Sequence, residues 1–179
     1  AAGRERRNVI IPKPVHSRPM NESLEVQVGS ALRQKGWTLA LGESCTGGLV
    51  AHRITEVAGS SEYFLGGVVA YSNPVKHGLL QVAEQTLERH GAVSEETARQ
   101  MARGARAVLR ADVGLSVTGI AGPGGGTTEK PVGLTVLAVS TPAGEWIERH
   151  VWNGDRHANK QASAEAALRL LLRALSKEP

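Results

Sequence analysis

Leu24, Val28, Ala31 and Leu32 recur at i, i+4, i+7 and i+8, which predicts an amphipathic helix with Asn21 as its N-cap. Trp37–Leu41 is a short apolar run that reads as a buried strand, followed by a helical pattern from Cys45 to Val57. Tyr63–Tyr71 reads as a second strand, weakened or bulged by Gly66 and Gly67. Asn73-Pro74 starts a short helix with proline in its first turn. Ser94 and the acidic pair Glu95-Glu96 open a longer helix, whose stripe is Ala98, Met101, Ala102, Ala105, Val108 and Leu109. Val113–Thr118 is a third strand. Leu134–Ser140 and Trp146–Trp152 are two more, joined by a link too short for a crossover and therefore an antiparallel hairpin. An Ala/Leu helix closes the chain. It is apolar on two sides, so it is either buried over most of its surface or shares in a homodimer contact.

The order α-β-α-β-α-α-β-β-β-α predicts an α/β fold, a three-layer α/β/α sandwich with a mixed sheet of about five strands. Ligands in such sheets bind outside the carboxyl ends of parallel strands. Ser44, Tyr71 and Thr118 all fall at or near such ends, so three separate segments predict one crevice.

Composition refines this picture. The chain has 179 residues, 41% hydrophobic but only 3% aromatic, so its core must be aliphatic and Ala-rich. That scarcity argues against single-strand nucleic-acid binding, which uses aromatic stacking platforms. Arg4, Arg6, Arg7, Lys13 and Arg18 against Glu5 account for the whole net charge of +4. Residues 1–19 therefore read as a basic, Pro-containing N-terminal extension, and 20–179 as a single α/β domain. A nucleic-acid role would attach to that extension alone; a solvated leader is the simpler reading. A single cysteine, Cys45, suits a reducing cytoplasm. No apolar run reaches the length of a membrane span. The six histidines show neither H-x-H nor H-E-x-x-H spacing, so no metal site is predicted.

The chemistry concentrates in Gly42-Glu43-Ser44-Cys45-Thr46-Gly47-Gly48, a small-residue turn from strand to helix. Helix-start amides there suit an anion or an oxyanion. Ser44 is then a helix N-cap or a nucleophile. The G-x-S-x-G elbow fails by one place, at Thr46, and His52 lies two helical turns away, so a Ser-His-Asp triad is not expected. Tyr71 and Lys76 are the remaining bases, and burial would lower the lysine into range. Cys45 is a rival nucleophile or a small buried hydrophobe. The loop Gly119–Gly126 is neither a Walker A loop nor G-x-G-x-x-G, though its amides suit a phosphate. Arg156, after Asn153-Gly154-Asp155, is a candidate clamp for phosphate or carboxylate.

Six ordered segments carry a resemblance. They are Glu43–Gly48, Val69–Asn73, His90–Ser94, Thr118–Pro123, Lys130–Gly133 and Gly154–Arg156. Together they resemble the CinA C-terminal domain family over about residues 22–175. The stand-alone members of that family are nicotinamide-nucleotide amidohydrolases. The domain that resembles molybdopterin-binding proteins in full-length members has no counterpart here, so the chain looks like a stand-alone member or the C-terminal half alone. The resemblance implies deamidation of nicotinamide mononucleotide (NMN) in pyridine nucleotide salvage, without cofactor or metal. It places the catalytic roles on Ser44, Tyr71 and Lys76. Substrate binding falls to Cys45, Thr46, Gly47, Thr118, Gly119, Gly122 and Arg156, with amides at the start of the following helix holding the oxyanion. The alternative is a non-catalytic, nucleotide-binding regulatory protein linked to competence or DNA damage.

Overall fold

The computed structural model describes residues 22–176. The basic stretch 1–19 and the expected cap Asn21 lie outside the described residues; the N-cap position of the first helix is Ser23. The elements run α1 (Leu24–Lys35), β1 (Leu39–Glu43), α2 (Leu49–Thr55), a short 3-10 turn, β2 (Phe64–Val69), α3 (Asn73–Leu80), α4 (Glu84–His90), α5 (Glu95–Val108), β3 (Val113–Gly119), β4 (Leu134–Thr141), β5 (Gly144–Val151) and α6 (Arg156–Ser176). The five strands form one sheet in the order β2-β1-β3-β4-β5. β1 runs parallel to β2 and β3, and β4 and β5 are antiparallel. The result is the expected three-layer α/β/α sandwich with a mixed sheet.

Alternation along the strands divides the core. Leu39 and Leu41, with Val113, Leu115, Val117, Leu137 and Val139, face α1, α2 and α6. Ala40, Val136 and Ala138 face the other way, onto α3 and α5. This second layer closes on small residues. A Cβ on Gly104 of α5 would stand 1.8 Å from the Leu80 carbonyl oxygen, and one on Gly114 of β3 would stand 2.0 Å from that of Ala102. Gly104 thus lets α5 meet the end of α3, and Gly114 lets it meet β3, at backbone distance. α6 buries Ala164, Ala167, Leu168 and Leu171 as well as Ala166, Leu170 and Ala174, so burial within one chain accounts for both of its apolar faces.

The connections set the site. β1 passes to β2 through α2 on one face, and β2 returns past β1 to β3 through α3–α5 on the other. The chain thus passes to opposite sides of β1, which by the topology rule for such sheets puts the ligand position outside the carboxyl ends of its parallel strands. Glu43, Val69 and Gly119 are the last strand residues there.

Two expectations needed correction. α4 was not anticipated, because its seven residues bury no side chain fully and carry no apolar stripe. α2 begins at Leu49 rather than Cys45. Gly47 and Gly48 stand at φ +64° and +98°, outside helical space, and Gly47 N–H closes a tight turn onto the Ser44 carbonyl at 3.1 Å. In β2 the register slips beside Gly66, at φ +145°, which is the bulge the glycines predicted.

Candidate active site

Glu43 fixes the turn. Its buried carboxylate accepts the amides of Gly48 (3.0 Å), Val50 (3.2 Å) and Ala51 (2.8 Å). A strand-end glutamate thus reaches over the turn and caps α2, as an anion at a helix N-terminus should. Of the expected oxyanion donors at the start of α2, the amides of Val50 and Ala51 are therefore already taken, along with that of Gly48 just before it. The amides of Cys45 and Thr46 make no hydrogen bond to another backbone group among the described residues and face the Cys45 sulfur. Glu43→Ala is expected to cost about 2–4 kcal/mol of stability, since several charge-assisted bonds and the cap go together. Urea unfolding measures it.

Ser44 is held by its own N–H on the Val117 carbonyl at 2.9 Å, so β3 positions the serine backbone. Its hydroxyl is not a helix cap. The Lys76 Nζ lies 3.0 Å from Ser44 Oγ, 2.8 Å from the Ala70 carbonyl oxygen and 3.4 Å from that of Tyr71. Lys76 is 1% exposed and pairs with no carboxylate among the described residues. Burial pushes its ammonium down from lysine's ordinary range. As a neutral amine it would donate two N–H bonds to the carbonyls and offer its lone pair to the Ser44 O–H.

Cys45 is also buried, with its sulfur toward Gly119: a Cβ there would meet Sγ at 3.0 Å. Burial pushes the thiol up to about 11. The Glu43 charge adds to this, against the amides of Cys45 and Thr46 and the Lys76 charge, which pull it down. A thiol held that high is a neutral packing group, not a ready thiolate. The buried Thr46 hydroxyl has no partner among the described residues.

Tyr71 is not brought to Ser44 by any hydrogen bond. It is 61% exposed, and its hydroxyl accepts from Arg156 at 3.0 Å. Arg156 donates its other nitrogen to the Gly122 carbonyl at 2.7 Å. One guanidinium thus ties the ends of β2, α6 and the loop after β3 across the mouth of the crevice. Thr118 sits at the predicted strand end, but its hydroxyl points into the fold and donates to the Ala92 carbonyl at 2.7 Å. Gly119 has no room for a side chain, with the Leu134 carbonyl oxygen 2.6 Å from a Cβ. Thr118 and Gly119 shape the wall.

Three residues escaped sequence reasoning. Glu43 was read only as part of a motif; its signal is an acidic residue at a strand end, six positions before a helix start. Asn159, buried on α6, donates to the Ala121 carbonyl at 3.1 Å and accepts the Gly154 N–H at 3.0 Å, fixing both loops. Lys160 reaches the turn from α6: a Cβ on Gly47 would stand 3.8 Å from its Nζ. It lies four residues after Arg156, hence on the same helix face.

Fold and site together define the class: a three-layer α/β domain that sets a buried lysine on a serine at the carboxyl ends of its parallel strands. The profile of the CinA C-terminal domain matches residues 21–175. A CinA-like protein of Desulfotalea psychrophila is 52% identical over 148 residues, 83% of this chain and 36% of that protein. A putative competence-damage inducible protein of Halothermothrix orenii is 51% identical over 155 residues, 86% of this chain and 37% of that protein. The crystal structure of the competence/damage inducible protein CihA from Agrobacterium tumefaciens superposes with a TM-score of 0.80 at 41% identity, covering 86% of this chain and 94% of that one. The chain belongs to the CinA family, and it spans little more than a third of the length of these two curated relatives. No helix among the described residues is long and apolar enough to cross a membrane.

Proposed function

We propose that this domain is an amidohydrolase that converts NMN to nicotinate mononucleotide and ammonia, in pyridine nucleotide salvage. The observation that carries the reading is the buried, carboxylate-free Lys76 at 3.0 Å from Ser44 Oγ, the arrangement of a serine with a lysine base. The amine takes the Ser44 proton as Oγ attacks the carboxamide carbon. The oxyanion that forms has the amides of Cys45 and Thr46, which no carbonyl holds, as donors in place of the capped amides of Val50 and Ala51. Lys76 returns the proton to the departing nitrogen, which leaves as ammonia, and an acyl-serine remains. Water then attacks the ester carbon with Lys76 again as base, releasing the carboxylic acid and free Ser44. Tyr71 serves here as a wall residue that holds Arg156, and Arg156 as the residue that orders the mouth around the nucleotide.

The test is ammonia release from NMN by purified protein, with nicotinamide and NAD alongside. Release from NMN alone supports the reading. NMN binding without release from any of the three replaces it with the reading of a non-catalytic, nucleotide-binding regulatory protein.

A further inference from the structure

Lys160 is a half-buried cation with no ion pair among the described residues. The acidic groups that could neutralise it are committed elsewhere. Glu43, at the base of the same turn, spends its carboxylate on the amide of Gly48 and two amides of α2. Asp155 spends an oxygen on the Ala158 N–H at the start of α6. Arg156, the other cation on this helix face, is engaged by the Tyr71 hydroxyl and the Gly122 carbonyl. Gly47, at φ +64°, keeps the space in front of the ammonium clear of any side chain. An unpaired ammonium beside an open turn has its three donors free for an anion from outside the chain.

We propose that Lys160 is the charge-reading residue of the crevice, and that it takes a phosphate monoester dianion. This rests on the reading of the site as one for a nucleotide, and it assigns the nucleotide's phosphate to α6 beside Gly47 rather than to the Gly119–Gly126 loop. Lysine suits the task as a point charge with three rotatable donors, and the carboxamide, at the other end of the ligand, is left to Ser44. Lys160 touches the ligand and no reacting atom, so it is a specificity residue: its loss should raise KM and spare kcat.

The experiment compares wild type, Lys160→Gln and Lys160→Arg on NMN and on its dephosphorylated nucleoside. Thermal unfolding with added inorganic phosphate runs in parallel. Lys160→Gln should raise KM for NMN by about 10- to 100-fold, the size of a lost charge-assisted contact. It should leave kcat and the turnover of the nucleoside unchanged. Lys160→Arg should restore most of the binding, and the Tm rise given by phosphate in wild type should vanish in Lys160→Gln. An unchanged KM, an equal loss on nucleotide and nucleoside, or a fall in kcat alone overturns the assignment. If wild type releases no ammonia from any substrate, the amidohydrolase reading fails and the phosphate arm decides by itself. A Tm rise confined to wild type and Lys160→Arg then upholds the anion site, while no rise, or an equal rise in all three, removes it.

Discussion

Ser44→Ala is expected to lower kcat for NMN by roughly four to six orders of magnitude, the range seen when a serine nucleophile is removed from a unit that acts together. Nucleotide binding should survive. The hydroxyl makes one polar contact, to Lys76, while the turn is held by backbone bonds from Ser44 and Gly47 and by the Glu43 carboxylate. Loss of Oγ therefore removes the attacking atom and leaves the crevice standing. Cys45→Ala is the control, because its sulfur lies one residue away. Burial that raises the thiol to about 11 leaves almost none of it ionised near neutral pH, so this variant should keep turnover. Ammonia release and nucleotide-induced thermal shift on both variants give the answer. An active Ser44→Ala beside an inactive Cys45→Ala would transfer the nucleophile's role to the thiol.

The strands were legible because short apolar runs bounded by glycine and polar turns mark buried strands. The order of strands and helices gave the mixed sheet, and the topology rule then put Ser44, Tyr71 and Thr118 at or near the ends of its strands, while the division of the core between the two faces came only from the structure. What each rim residue does was less legible, since it depends on partners far along the chain. Thr118 has the residue type of a ligand donor, but only the fold shows that Ala92, 26 positions earlier, takes its hydroxyl. Tyr71 and Lys76 lie five residues apart and were equal candidates as base. A turn of α3 buries the lysine beneath Ser44, whereas the tyrosine stays on the surface with Arg156. The start of α2 was misread because a cap is normally sought next to the helix, and here the capping carboxylate comes from the preceding strand, across the turn it stabilises. Lys160 carried no signal beyond its i+4 spacing from Arg156; its meaning comes from the approach of α6 to Gly47, a contact set by 21 residues of helix packing.

Lys76→Met should separate catalysis from stability. A general base contributes about 10²- to 10⁴-fold, so kcat should fall by at least that much. Wild-type kcat should rise with pH as the Lys76 ammonium loses its proton, with a midpoint below lysine's ordinary range; that limb should disappear in the variant. Stability carries the same titration with a definite sign. Below the lowered folded value both states bind the proton, and the fold bears the full cost of burying a charge. Between that value and the ordinary one, the unfolded chain holds a proton that the folded chain has released, so stability rises with pH; above both it levels off. Methionine fills a similar volume with no charge to bury. It also strands the Ala70 carbonyl, so the net change near neutral pH should stay within about 2 kcal/mol of wild type. The rise of stability across the window should flatten. Urea unfolding across pH, set beside the pH profile of ammonia release, reads both effects from one protein. A variant that keeps the catalytic limb would clear Lys76 of the base role. One that loses activity while the pH slope of stability persists would mean that some other group carries the titration.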